Sequence, residues 1–304
     1  MSTNTTPAIV EDTPETKPKM RRTSPRKRVT AVILSAVSVV LFAVMVFPVY
    51  WMISSSFLPT SKIRATTPTF FPGGSFTWNN YRVAIFESHG GFFMDALRNS
   101  LIVTFFTLIV TLIIGFLAAL AVARYKFFGR NGFIVAILMI QMLPGAAMMW
   151  TYFRMMSAWG LTNNLLGLGL LYVCGALPFT IWTLRGFVLS VPPDLEEAAM
   201  VDGCSRNGAF WRITFPLLAP GLVSTGIFAF ITAWNEFTTA LIMLNKPDYY
   251  TLPIWLRYFQ QATRATDWGA LMAGSTLIAI PVMIFFLIVQ GRMTGGLVAG
   301  AVKG

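Results

Sequence analysis

The sequence predicts an all-α, polytopic membrane protein with six transmembrane helices and a short cytoplasmic helix between spans four and five. Three observations carry this. Of 304 residues, 55% are hydrophobic and 12% charged, and the mean hydropathy is +0.65, far too apolar for a soluble domain of this size. Six stretches approach the roughly 20 apolar residues a helix needs to cross a bilayer. One polar segment, SVPPDLEEAAMVDGCSRNGAFWRITFPLLAPG, interrupts the apolar pattern with a helical signature of its own.

The first 28 residues are rich in Thr, Pro, Lys and Arg and are expected to be a disordered basic cytoplasmic tail, leaving 29–304 as the membrane domain. Val29 to Phe57 is much longer than a signal-peptide core and no small-residue cleavage pattern follows it, so a retained anchor is expected. The six candidate spans are 30–55, 97–123, 131–152, 165–188, 219–244 and 268–290. Gln141 and Pro144 in the third and Pro178 in the fourth suggest kinks packed against protein.

Basic residues set the orientation. Seven of the 23 Lys and Arg lie between Lys17 and Arg28. With the N-terminus inside, 15 fall on cytoplasmic segments and 8 outside. This places both termini in the cytoplasm of a multi-pass plasma-membrane protein. The net charge of +11 is therefore topological. No interleaved basic and aromatic face points to nucleic acid; membrane lipids are the expected contact of the tail.

Other chemistry is poorly supported. Cys174 and Cys204 are read as free thiols, and His89 is the single histidine, so no metal site is expected. An intramembrane enzyme needs paired carboxylates or a Ser/His dyad in a cavity, and no catalytic residue is assigned. The exception is Glu236, the one acid well inside a predicted span. With Asn235 it is either a cavity residue or a helix-packing group.

Two outside loops are long. Residues 58–96, with turns at Pro72-Gly73-Gly74 and Gly90-Gly91, are expected to cover the outer face. The loop 245–267 begins Asn245-Lys246-Pro247-Asp248 and carries Tyr249, Tyr250, Trp255 and Tyr258, either an interfacial belt or a contact surface.

The cytoplasmic loop, about 189–218, carries the local signals of a short helix. Pro192 and Pro193 end the preceding span. Asp194 with Glu197 fits a capping box, and Glu196 and Glu197 favour the positive end of the helix dipole. Gly203 suits a left-handed cap. A second helical stretch is expected at 205–214, before Pro216. So short a helix is marginal alone, and its Ala198 and Ala199 face invites a docked partner. A surface helix seeking anionic lipid would be basic, and no Lys or Arg precedes Arg206.

Glu197-Ala198-Ala199, three residues to Gly203, nine to Ile213, then Pro216 resembles the EAA motif of ABC-importer permeases. Phe215 stands where that family usually has leucine. Pro178-Phe179-Thr180-Ile181-Trp182, Trp234-Asn235-Glu236-Phe237, Thr251-Leu252-Pro253 and the ending GlyLeuValAlaGlyAlaValLysGly at 296–304 look like the carbohydrate, maltose-type branch. The resemblance implies half of a two-permease pore, served by a second homologous permease, two cytoplasmic ATPase subunits and an external solute-binding protein. It implies no cofactor on this chain, since ATP would sit on the ATPases. Glu196, Glu197, Ala198, Ala199, Asp202, Gly203, Ile213 and Pro216 would then form the ATPase-coupling region, with Asp202 either capping the second helix or pairing with an ATPase base. Gly300, Val302 and Lys303 would carry a tail contact with the ATPase. Asn245, Lys246, Asp248, Tyr249 and Tyr250 would meet the binding protein. The solute implied is a sugar or oligosaccharide, the alternatives being a glycerol phosphate, a polyol or an amino-sugar. A self-contained channel has no use for such a loop.

Overall fold

The computed structural model describes residues 25–87, 92–260 and 266–301. The tail residues 1–24, His89, Gly90 and Gly91 lie outside these, as do Val302 and Lys303. Two units are separable, 1–50 and 51–304. Helix α1 (Pro25–Ser56) begins at a proline, whose missing N–H costs nothing at a helix start; within the first unit its side chains from Val32 to Val49 are exposed, and its last residues, from Trp51, belong to the second.

The second unit continues from Trp51 with α2 (Thr60–Ile63), a 3-10 turn at Gly73–Ser75 and α3 (Asn79–Phe86). Asn80 of α3 donates to the carbonyls of Ser56 and Leu58 at 2.8 and 2.7 Å. Long helices α4 (Phe93–Arg124) and α7 (Leu165–Ser190) form the centre. Between them lie α5 (Arg130–Gln141) and α6 (Gly145–Ala158). The third predicted span is thus two helices, broken at Met142–Pro144, where Pro144 cannot donate to a continuing helix. Pro178 does not interrupt α7.

After α7 come α8 (Asp194–Val201) and α9 (Arg206–Ala209). A π-turn at Phe210–Thr214 leads into α10 (Phe215–Asn235), so the stretch expected at 205–214 is the first part of one continuous helical run. The fifth predicted span ends early: α10 stops at Asn235 and α11 (Thr238–Met243) follows after a break at Glu236 and Phe237. A 3-10 turn at Pro247–Tyr249 and α12 (Leu252–Arg257) lead to α13 (Trp268–Ala301). The backbone of 296–301, the start of the ending expected to carry the tail contact, continues α13 as helix. Among the described residues five helices are long and apolar enough to cross a membrane.

The central packing uses small residues. A Cβ on Gly115 of α4 would lie 2.5 Å from Thr180 Cγ2 of α7, so glycine lets these backbones approach, the usual source of affinity between helices in lipid. Three apolar clusters surround this axis. One gathers Phe93, Phe230, Trp234 and Trp255, the second Met156, Leu168, Met243 and Ile254. The third gathers Val188, Val191 and Leu218 with Phe116 and Leu120.

Candidate functional site

The polar loop folds into α8 with a defined end. Gly203 has φ +91°, the left-handed region that penalises a Cβ. Its N–H donates to Met200 O at 3.1 Å and that of Cys204 to Ala199 O at 3.0 Å, the Schellman pairing. The start differs from expectation. Asp194 is already helical, Pro193 holds the N-cap position and no side chain caps it, so the capping box does not form. Ser205 instead caps α9, accepting from Gly208 N at 3.1 Å, which removes the capping option for Asp202.

The predicted coupling residues divide by face. Glu197, Ala198, Asp202, Gly203 and Pro216 are exposed, Ala199 is buried, and Glu196 and Ile213 are half-buried. Ala199 and Ile213 therefore serve packing, because α8 needs an inward face to stay seated. Val201, 87% exposed, and Trp211 extend the outward surface; sequence reasoning missed both.

It also missed what holds α8. Glu196 Oε1 lies 3.3 Å from Arg124 Nη2 and accepts from Thr214 Oγ1 at 2.6 Å. The same Arg124 nitrogen donates to Val191 O at 3.2 Å. One half-buried carboxylate thus ties α8 to the end of α4 and to the π-turn. A groove of about 600 Å³ beside it is lined by Leu117, Arg124, Glu196, Glu197, Arg206 and Phe210, among others. The available signal was an arginine in the last turn of a long apolar helix.

At the α10–α11 break, Glu236 acts first as a cap. Its carboxylate accepts from Thr239 N at 2.8 Å and Ala240 N at 3.1 Å, and from Tyr172 OH at 2.8 Å. Glu236 also lines a cavity of about 300 Å³ between α4, α6, α7, α10 and α11. Asn235 does not; its side chain donates back to Ile231 O at 2.9 Å.

The loop at 245–250 is stapled at its base. Asn163, at φ 52°, accepts from Asn245 N at 2.6 Å and Lys246 N at 3.0 Å. Asn99 donates to Asp248 O at 2.8 Å and Tyr250 O at 3.0 Å. Asn245 to Tyr249 stay exposed. Tyr250 is buried against Ile254 and Tyr258, so it is withdrawn from any external partner. Burial, then the hydrogen bond to Tyr250, push the Tyr258 hydroxyl up to about 12. Trp255 is fully buried, so Tyr250 and Trp255 belong to the core, while Tyr249 stays exposed.

Gly300 falls on the backbone of α13; Val302 and Lys303 lie outside the described residues. Cys174 and Cys204 are free, and no metal-binding cluster occurs among the described residues.

Residues 111–295 match the family described as binding-protein-dependent transport system inner membrane component. The chain is 45% identical to the diacetylchitobiose uptake system permease of Streptomyces coelicolor, covering 91% of this chain and 96% of that protein. It is 38% identical to the trehalose transport system permease of Mycobacterium tuberculosis, covering 84% and 92%. With the trehalose/maltose transport system permease of Thermococcus litoralis the identity is 35%, over 90% and 97%. The fold matches a chain in the crystal structure of a bacterial ABC transporter that imports alginate, with TM-score 0.70 and 20% identity over 88% of this chain and 98% of that one.

Proposed function

Since the chain belongs to the family of binding-protein-dependent transport system inner membrane components, we propose that it forms half of the translocation path of an ATP-driven sugar importer. The full complex would add a second homologous permease, two cytoplasmic ATPase subunits and the external solute-binding protein. The family is one of transport permeases, and this chain is read as doing no bond chemistry: ATP binds to the ATPases. Both termini face the cytoplasm, in line with the distribution of Lys and Arg. The solute reading, a sugar or oligosaccharide, is supported by relatives named for diacetylchitobiose, trehalose and trehalose/maltose transport.

One observation carries the mechanism: α8 exposes Glu197, Ala198 and Asp202 while its Glu196 is clasped to Arg124 and Thr214. An ATPase gripping the exposed face moves α8. The clasp passes that movement to α4 and α10, which pack with α7. Nucleotide-driven closure biases the permease by differential affinity for two states, and the spans rock around the solute path. Asn245 to Tyr249 present a fixed tip to the binding protein on the other side.

The test is co-purification in mild detergent from the native host. Wild type should bring down a second permease, an ATPase and the binding protein. The Glu197→Arg, Gly203→Asp double variant should lose the ATPase alone. Absence of any ATPase from the wild-type complex overturns the reading.

A further inference from the structure

We propose that the cavity between α4, α6, α7, α10 and α11 is a subsite for one uncharged sugar ring, with the Thr107 hydroxyl among its binding groups. The proposal rests on the importer reading and adds where on this chain the solute is held. The cavity's volume, about 300 Å³, is at the lower end for small-molecule sites.

Thr107 is the informative residue. It is 1% exposed, lines the cavity, and its Oγ1 has no hydrogen-bond partner among the described residues. A helical Thr or Ser usually turns its hydroxyl to the carbonyl four residues back. Thr225, Ser275 and Thr276 do so here, at 2.7, 2.8 and 2.8 Å; Thr107 does not, and neither do Thr111 of α4 and Thr180 of α7, but of these three only Thr107 lines the cavity. A buried hydroxyl left unpaired is costly, and a ligand hydroxyl would satisfy it.

The walls suit a sugar. Met149, Leu171 and Ala233 offer apolar surface for the C–H face of a ring, and Tyr152, Thr232 and Thr238 offer hydroxyls for its edge. The Glu236 carboxylate is fixed by Tyr172 and two backbone N–H groups, yet its oxygens can accept further bonds. Among the described residues, neither Lys nor Arg lines the space. Recognition of phosphate or carboxylate calls for such cations, and the Glu236 charge repels anions. The glycerol phosphate alternative therefore fits this cavity poorly.

The wall also has a bare place. Gly175 lines the cavity, and a Cβ built on it meets nothing within 4 Å. A β-carbon there enters open space, so Gly175→Leu adds bulk at this wall.

The experiment uses the assembled complex in proteoliposomes, with its co-purified binding protein outside and ATP inside. Uptake of radiolabelled trehalose, maltose and diacetylchitobiose is measured per ATP hydrolysed. Gly175→Leu should lower the ratio roughly tenfold for the imported sugar. Thr107→Val, nearly isosteric, should lower it about fivefold, and Thr107→Ser should recover most of the loss. A uronic-acid disaccharide should not compete. If both Gly175→Leu and Thr107→Val assemble and import at the wild-type ratio, the subsite is overturned and the space belongs to lipid or to a neighbouring subunit's side chain. Equal competition by the uronate overturns the uncharged class. If wild type imports none of the three sugars, the sugar reading fails, and the subsite with it. Should Gly175→Leu not assemble, the Thr107 pair decides alone.

Discussion

Glu196 Oε1 and Arg124 Nη2 lie 3.3 Å apart, joining the helix that faces a partner to the last turn of the longest central helix. Hydrogen bonds from Thr214 to the same carboxylate oxygen and from Arg124 to Val191 O complete the joint. Both side chains are only partly exposed, so the pair is less screened than a surface ion pair. We expect Arg124→Ala and Glu196→Ala each to weaken coupling, with an interaction energy of about 1–2 kcal/mol in the double-mutant cycle. The readout is ATP hydrolysis stimulated by the binding protein, alongside ATPase retention on purification. Loss of stimulation with the ATPase still bound identifies a transmission joint. Loss of both points to misfolding of the loop.

Gly203 sits at φ +91° with open space around it, so a substitution there strains the backbone rather than colliding. Gly203→Ala should cost about 1 kcal/mol locally and reduce transport modestly. Gly203→Asp adds a charge beside the exposed Asp202 and should uncouple ATP hydrolysis from transport while the chain still inserts. Transport at the normal rate in Gly203→Asp would remove α8 from the mechanism.

Glu236 caps α11 through two backbone N–H groups and receives the Tyr172 hydroxyl. Glu236→Gln keeps one acceptor and should lower stability by about 1–2 kcal/mol, read as a lower Tm of the purified complex. Tyr172→Phe should have a smaller effect of the same sign. Selectivity among uncharged sugars should hold in Glu236→Gln, while the exclusion of a uronate should weaken as the charge is lost. A change of selectivity among uncharged sugars at constant Tm would make the carboxylate a direct solute contact.

Asn163 and Asn99 hold the exposed tip at its two ends. Asn163→Gly preserves the backbone conformation and removes the two hydrogen bonds. Amide exchange across 245–250 should then quicken about tenfold. Binding-protein-stimulated hydrolysis should fall with it. Faster exchange without that fall would show that the tip's rigidity is irrelevant to docking.

The spans were legible because burial in lipid demands uninterrupted apolar length, a property of local sequence. Gly203 was legible because a left-handed cap is a local backbone requirement. Boundaries were less so. The breaks after Gln141 and at Glu236 depend on which carbonyls find other donors, and the N-terminus of α8 forms without the expected Asp194 cap. Tyr250 and Trp255 read as surface aromatics because their polarity and spacing do not reveal which neighbours cover them.

Sequence alone determined the class, the apolar segments and the charged helix with its acidic start and glycine end, since each follows from chain composition and nearest-neighbour geometry. Only tertiary structure decided that Arg124 meets Glu196, that Ala199 turns inward while Ala198 stays free, and that Thr107 is left unpaired beside a cavity. Those facts arise from helices distant in sequence packing side by side, where the identity of a partner is set by three-dimensional proximity and not by spacing along the chain.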